Sequence, residues 1–97
     1  MKKILIIDDE KDIRFLLSTI LMDEGYDTLQ AGTVEEAESV ITNKAFDLAI
    51  IDISLKDKKK DGIFLLKEIR QVNKYIPVIM ISGHATIQLA VDSMKLG

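Results

Sequence analysis

The sequence predicts an α/β fold, a doubly wound parallel sheet with helices on both faces, and three observations predict it. Apolar runs at residues 4–7, 48–51 and 78–81 are rich in Ile and Val and do not alternate with polar residues. Strands covered on both faces have that pattern, because neither face meets water. Between the runs lie stretches of helical periodicity, so strand and helix alternate and the connections are right-handed crossovers. With 97 residues and no cysteine, the chain forms one domain that must hold by packing alone. Its 47% hydrophobic and 30% charged residues exclude a disordered tail or a linker.

Each element has its own signal. After the first strand, Ile13, Leu16, Leu17, Ile20 and Leu21 recur at i, i+3, i+4, i+7 and i+8, a helix with one buried face, and Gly25 stands where such a helix ends. Residues 26–31 are more polar and open after Gly25, which predicts a strand at an edge of the sheet. Thr33, Val34, Glu35 and Glu36 have the capping-box spacing, and Val34, Ala37, Val40 and Ile41 supply the second helix with its buried stripe. A third helix is expected over residues 62–73 on Leu65, Leu66, Ile69 and Val72, after which Pro77 opens the strand at 78–81. Ile87, Ala90, Val91 and Met94 repeat the stripe in a fourth helix, with Gly97 in the position of a C-terminal glycine.

Charge narrows the partners. Thirteen basic against sixteen acidic residues leave −3, so the domain is no electrostatic glove for DNA or an anionic membrane, and nucleic-acid contact would need another domain. The N-terminal apolar run is four residues long before Asp8, Asp9 and Glu10, which fits neither a signal peptide nor a membrane span.

In an open α/β sheet the site lies beyond the carboxyl ends of the strands. Asp8, Asp9 and Glu10 follow the first run, Asp52 follows the third strand, and Ser82, Gly83 and His84 follow the fourth. If the strands at 4–7 and 48–51 are neighbours, about 4.8 Å separates them and Asp8, Asp9 and Asp52 share one cleft. Three ionised carboxylates some 5 Å apart repel by about 3 kcal/mol per pair at an effective dielectric near 20. One of them therefore keeps a proton, or a cation sits among them. Hard oxygen donors without His or Cys favour Mg²⁺, which usually completes its shell with water and phosphate. The cluster thus points to phosphoryl chemistry, with a carboxylate as the nucleophile.

These residues resemble the receiver domain of bacterial two-component response regulators: a hydrophobic strand before Asp8-Asp9-Glu10, the lone Asp52 after the third strand, and Ser82 after the fourth. Residues 81–86, with Ala90-Val91 and residues 94–97, look most like receivers of nitrogen-regulatory, enhancer-binding activators. The resemblance covers residues 1–97. It implies a flavodoxin-like fold with strand order 2-1-3-4, and a receiver truncated at its C-terminus, the family's fifth strand with its Lys-Pro pair and last helix falling beyond Gly97. It implies a cytoplasmic phosphoacceptor that takes a phosphoryl group from a histidine kinase onto Asp52 in a Mg²⁺-dependent reaction. A separate output domain, not in the chain, would answer through transcription. Mg²⁺ would be held by Asp9 ahead of Asp8, by Asp52, and by the backbone carbonyl of Ser54, while Ser82 would be the switch hydroxyl. Such a domain is no enzyme beyond catalysing its own phosphorylation and dephosphorylation.

Two departures from the family pattern stand out. Receivers usually have a proline four residues after the acceptor and a glycine eight after it; here Lys56 replaces the proline and Gly62 comes ten residues on, so the loop is two residues longer. Without a fifth strand, residues 78–81 would form an apolar edge, and self-association through that strand or the fourth helix is expected. His84 reads as a loop residue, and the run Lys56, Lys58, Lys59 and Lys60 as a solvated loop.

Two other functions share this architecture. An aspartate-nucleophile phosphatase of the haloacid dehalogenase type places its acids as Asp-x-Asp after the first strand, whereas here they are adjacent. A nucleotide or flavin binder would need a Gly-x-Gly-x-x-Gly or Walker loop, which the sequence lacks.

Overall fold

A computed structural model describes residues 2–53, 55 and 60–81. The elements run β1 Lys3–Ile7, α1 Lys11–Asp23, β2 Asp27–Ala31, α2 Val34–Asn43, β3 Leu48–Asp52, α3 Gly62–Val72 and β4 Val78–Ile81. The expected fourth helix, Ser54 and Ser82 lie outside the described residues. All neighbouring strands are parallel, in the order β2-β1-β3-β4, so the more polar strand is at an edge, as its composition predicts.

The uninterrupted apolar runs are explained by two cores, one on each face of the sheet. Ile4 and Ile6 of β1 face α1, where Ile13, Leu17 and Leu21 pack on them with Ile50 and Ile81. Leu5 and Ile7 point the other way, into a cluster with Val34, Ala37 and Ile41 of α2 and Leu65 and Ile69 of α3. Successive side chains on a strand alternate faces, so a strand between two helical layers needs an apolar residue at every position. The helical stripes are narrower than their periodicity predicts. Leu16 of α1 and Val72 of α3 are exposed, because each lies at the margin of its stripe, beyond the arc that meets the sheet.

Local chemistry sets the boundaries. Gly25 has φ of +93°, and the bonds Gly25 N–H to Met22 O (3.0 Å) and Tyr26 N–H to Leu21 O (3.1 Å) close α1 in a Schellman arrangement. A side chain there would be forced into the left-handed region. Thr33 caps α2, its Oγ1 accepting from Glu36 N–H at 3.1 Å. The return half of the capping box is replaced: Thr33 Oγ1 itself donates to Glu36 Oε1 at 3.3 Å. At α3 the cap is Asp61, which accepts from Phe64 N–H at 3.1 Å. Ser18, buried on α1, is satisfied by Thr28 Oγ1 at 2.7 Å, pinning the helix to the edge strand.

Candidate functional site

The register Ile7 with Ile51 and Ile6 with Ile50 brings β1 and β3 to the same level, so the residues that follow emerge side by side. Carboxylate oxygens of Asp8, Asp9 and Asp52 all lie within 4.8 Å of one another. Asp8 is buried and the other two are half-buried. The acids on two distant stretches of sequence thus share one cleft at the carboxyl end of the sheet. On the far side of β3, Asp52 is in register with Ile81, and Ile53 N–H donates to Ile81 O at 2.9 Å. Ser82 follows Ile81 directly in the chain.

The turn carrying Asp8 and Asp9 is tied from three sides. Asp8 N–H donates to Ala31 O at 3.2 Å, which extends the β1–β2 ladder past the end of the strand. Its Oδ1 accepts from Glu10 N–H at 2.8 Å. Its carbonyl accepts from Arg14 Nη1, also at 2.8 Å. Burial pushes the Asp8 carboxyl up to about 6, the Glu10 N–H bond pulling it down and the charges of Asp52, Asp9 and Glu10 raising it further. A buried acid raised by its anionic neighbours is a group short of positive charge. The donor set is oxygen throughout, with neither His nor Cys among the described acids that cluster, and a small hard cation such as Mg²⁺ fits it.

Gly62 opens α3 beside the backbone that carries Asp52. A Cβ on this first residue of α3 would lie 2.5 Å from Asp52 O and 3.0 Å from the Cα of Ile53. The helix start therefore packs directly against the backbone of the Asp52 turn, and only glycine leaves room. Of the basic run, Lys60 turns away from a purely solvated position: it pairs with Glu38 of α2 at 3.7 Å and lies 5.4 Å from the centre of the Phe64 ring. Lys56, Lys58, Lys59 and His84 lie outside the described residues.

Arg14 is the residue that periodicity and motif spacing pass over. A cation in the first turn of a helix opposes the macrodipole, but Lys11 does so as well, so the sequence does not single Arg14 out. Gly32 belongs with it, since a Cβ there would lie 2.6 Å from Arg14 Nη1 and 2.9 Å from its Cζ.

A family model described as the response regulator receiver domain matches residues 4–97. The chain is 42% identical over 94 residues to the nitrogen assimilation regulatory protein NtrX of Azorhizobium caulinodans, covering 97% of this chain and 21% of that protein. It spans about a fifth of the length of the first curated relatives it matches. Among solved structures, the receiver domain of NtrX from Brucella abortus aligns with TM-score 0.76 and 42% identity, over 97% of this chain and 78% of that one. The response regulator TrrA of Thermotoga maritima, solved in complex with Mg²⁺-BeF, aligns with TM-score 0.78 and 33% identity, over 97% and 80% of the two chains.

Proposed function

Since the chain belongs to the response regulator receiver domain family, we propose that it is a phosphoacceptor: Asp52 takes a phosphoryl group from a histidine kinase and an output domain reads the change. The meeting of Asp8, Asp9 and Asp52 within 4.8 Å carries this reading. Receiver domains are signalling domains rather than ordinary enzymes, and they work with histidine kinases and output domains. A relative 31% identical over 94 residues, ZraR of Escherichia coli O157:H7, is named a transcriptional regulatory protein, which supports an output through transcription here. A cytoplasmic site of action belongs to the same reading; among the described residues no helix is long and apolar enough to cross a membrane.

In the proposed reaction a carboxylate oxygen of Asp52 attacks phosphorus. The P–N bond to the kinase imidazole breaks, its electron pair returns to the imidazole nitrogen, and an aspartyl phosphate remains. Asp9 and Asp8, with Asp52 and the carbonyl of Ser54, would hold Mg²⁺, whose binding to the Thermotoga relative supports the assignment. When bound, the ion supplies the positive charge that lets an anionic nucleophile approach an anionic phosphoryl group. Burial of Asp8 and its bond from Glu10 N–H hold one carboxylate of the cluster in place, while Asp52 is half-buried. Ser82, one residue beyond the register partner of Asp52, would follow the added charge as the switch hydroxyl.

The test is mass spectrometry after incubation with a small phosphodonor and Mg²⁺. One phosphoryl group should appear on the wild type and none on Asp52→Ala. A gain that survives in Asp52→Ala, or none in the wild type, refutes the assignment.

A second copy of the chain is the other partner proposed. Among the described residues β4 pairs with β3 alone, and Val78, Ile79 and Met80 are only half-buried. An apolar strand edge is a template for pairing. Light scattering on the 97-residue chain should show association at high micromolar concentration, and a clean monomer there counts against it.

A further inference from the structure

The geometry points to Arg14 as a positioning residue of the acidic cleft, and to Gly32 as the residue that admits its guanidinium; this rests on the phosphoacceptor reading above. Arg14 leaves α1 and donates from Nη1 to the carbonyl of Asp8 at 2.8 Å. That carbonyl belongs to the peptide joining Asp8 to Asp9. Holding its plane fixes the direction in which both carboxylates leave the backbone. The peptide units on either side are held by Asp8 N–H on Ala31 O and by Glu10 N–H on Asp8 Oδ1, and Arg14 holds the one between them.

Gly32 gives an independent indication that the contact is built. It stands one residue past β2, and its missing side chain is filled by the guanidinium: Nη1, Cζ and Nη2 of Arg14 would lie 2.6, 2.9 and 3.1 Å from a Cβ. Gly32 and Arg14 therefore form one unit that locks the β1–α1 turn to the β2–α2 turn. The guanidinium also places a fixed positive charge behind a peptide whose two side chains are anionic. Lysine keeps that charge but lacks the planar fork, so it should restore the function only in part.

Mg²⁺ binding measured by calorimetry, with folded stability measured by urea, tests this. Loss of a group that orients metal ligands costs roughly tenfold in affinity. Arg14→Met and Gly32→Ala should each weaken Mg²⁺ binding by about that factor at urea concentrations where both remain folded, with Arg14→Lys intermediate. Because both act through one contact, the double variant should be little worse than either single one. If Arg14→Met does not fold, Gly32→Ala and Arg14→Lys carry the comparison. Wild type that binds Mg²⁺ while these variants bind it within twofold overturns the role of Arg14 and leaves the phosphoacceptor reading standing. Wild type that neither binds Mg²⁺ nor gains a phosphoryl group overturns both.

Discussion

Asp8 shows how far a single residue's character depends on its place. In the sequence it is one of three consecutive acids and differs little from Asp9. In the structure it is the buried one, with its carboxyl raised from 3.8 to about 6. A folded-state value above the unfolded one means that the folded chain holds a proton the unfolded chain releases. In Mg²⁺-free buffer the Asp8 contribution to stability is therefore fully present below about pH 4 and is lost as the pH rises through about 6. The loss amounts to about 3 kcal/mol. Asp8→Asn keeps an oxygen for Glu10 N–H and removes the charge. It should raise the urea midpoint at pH 7 and flatten the fall between pH 4 and 6, while weakening the response of that midpoint to Mg²⁺. A variant no more stable than wild type at pH 7 would show that the three acids do not strain the fold. The residue types and spacing of the site were legible in the sequence; which acid is buried was not, since that follows from the backbone turning inward after Ile7.

At the scale of elements, most boundaries rest on one or two side chains. Gly25 and Thr33 announced theirs, because a left-handed residue and a capping hydroxyl are local devices that act within a few residues. Gly62 did not. Its spacing from Asp52 reads as an altered loop, and its role appears only where α3 meets the Asp52 backbone. In an open helix, replacing glycine with alanine gains up to about 1 kcal/mol from propensity. Here the added methyl meets a carbonyl oxygen at 2.5 Å, so the sign should reverse. Gly62→Ala is expected to cost about 1–3 kcal/mol, as overpacking does. Urea unfolding gives the first measure, and if Asp52 is the proposed phosphoacceptor its phosphorylation rate should fall as well, because the added methyl pushes on the backbone that carries it. Unchanged stability would show that α3 can slide away from the turn freely.

For the molecule as a whole, two cores share one sheet, and among the described helices α1 alone covers one face. Leu17 lies fully buried at its centre, between Ile13 and Leu21. Leu17→Ala should cost about 2–5 kcal/mol, against a total of roughly 5–15 for a domain of this kind. Its urea midpoint should accordingly fall far more than that of Leu16→Ala, one residue along but exposed. Equal effects would mean that α1 packs with a different face than described.

Strand and helix order, the two-sided burial of β1 and β3, the edge position of β2 and the acids at the strand ends were all determined by the sequence alone. Each is a pattern carried by neighbours in the chain, and local periodicity and polarity express it. The convergence of Asp8 and Asp9 with Asp52, the burial of one acid among them, and the contacts of Arg14 with Gly32 and of Gly62 with the Asp52 carbonyl were decided by tertiary structure. Those depend on the register of β1 against β3 and on the close approach of α1 and α3 to turns far away in sequence, distances that no local pattern encodes.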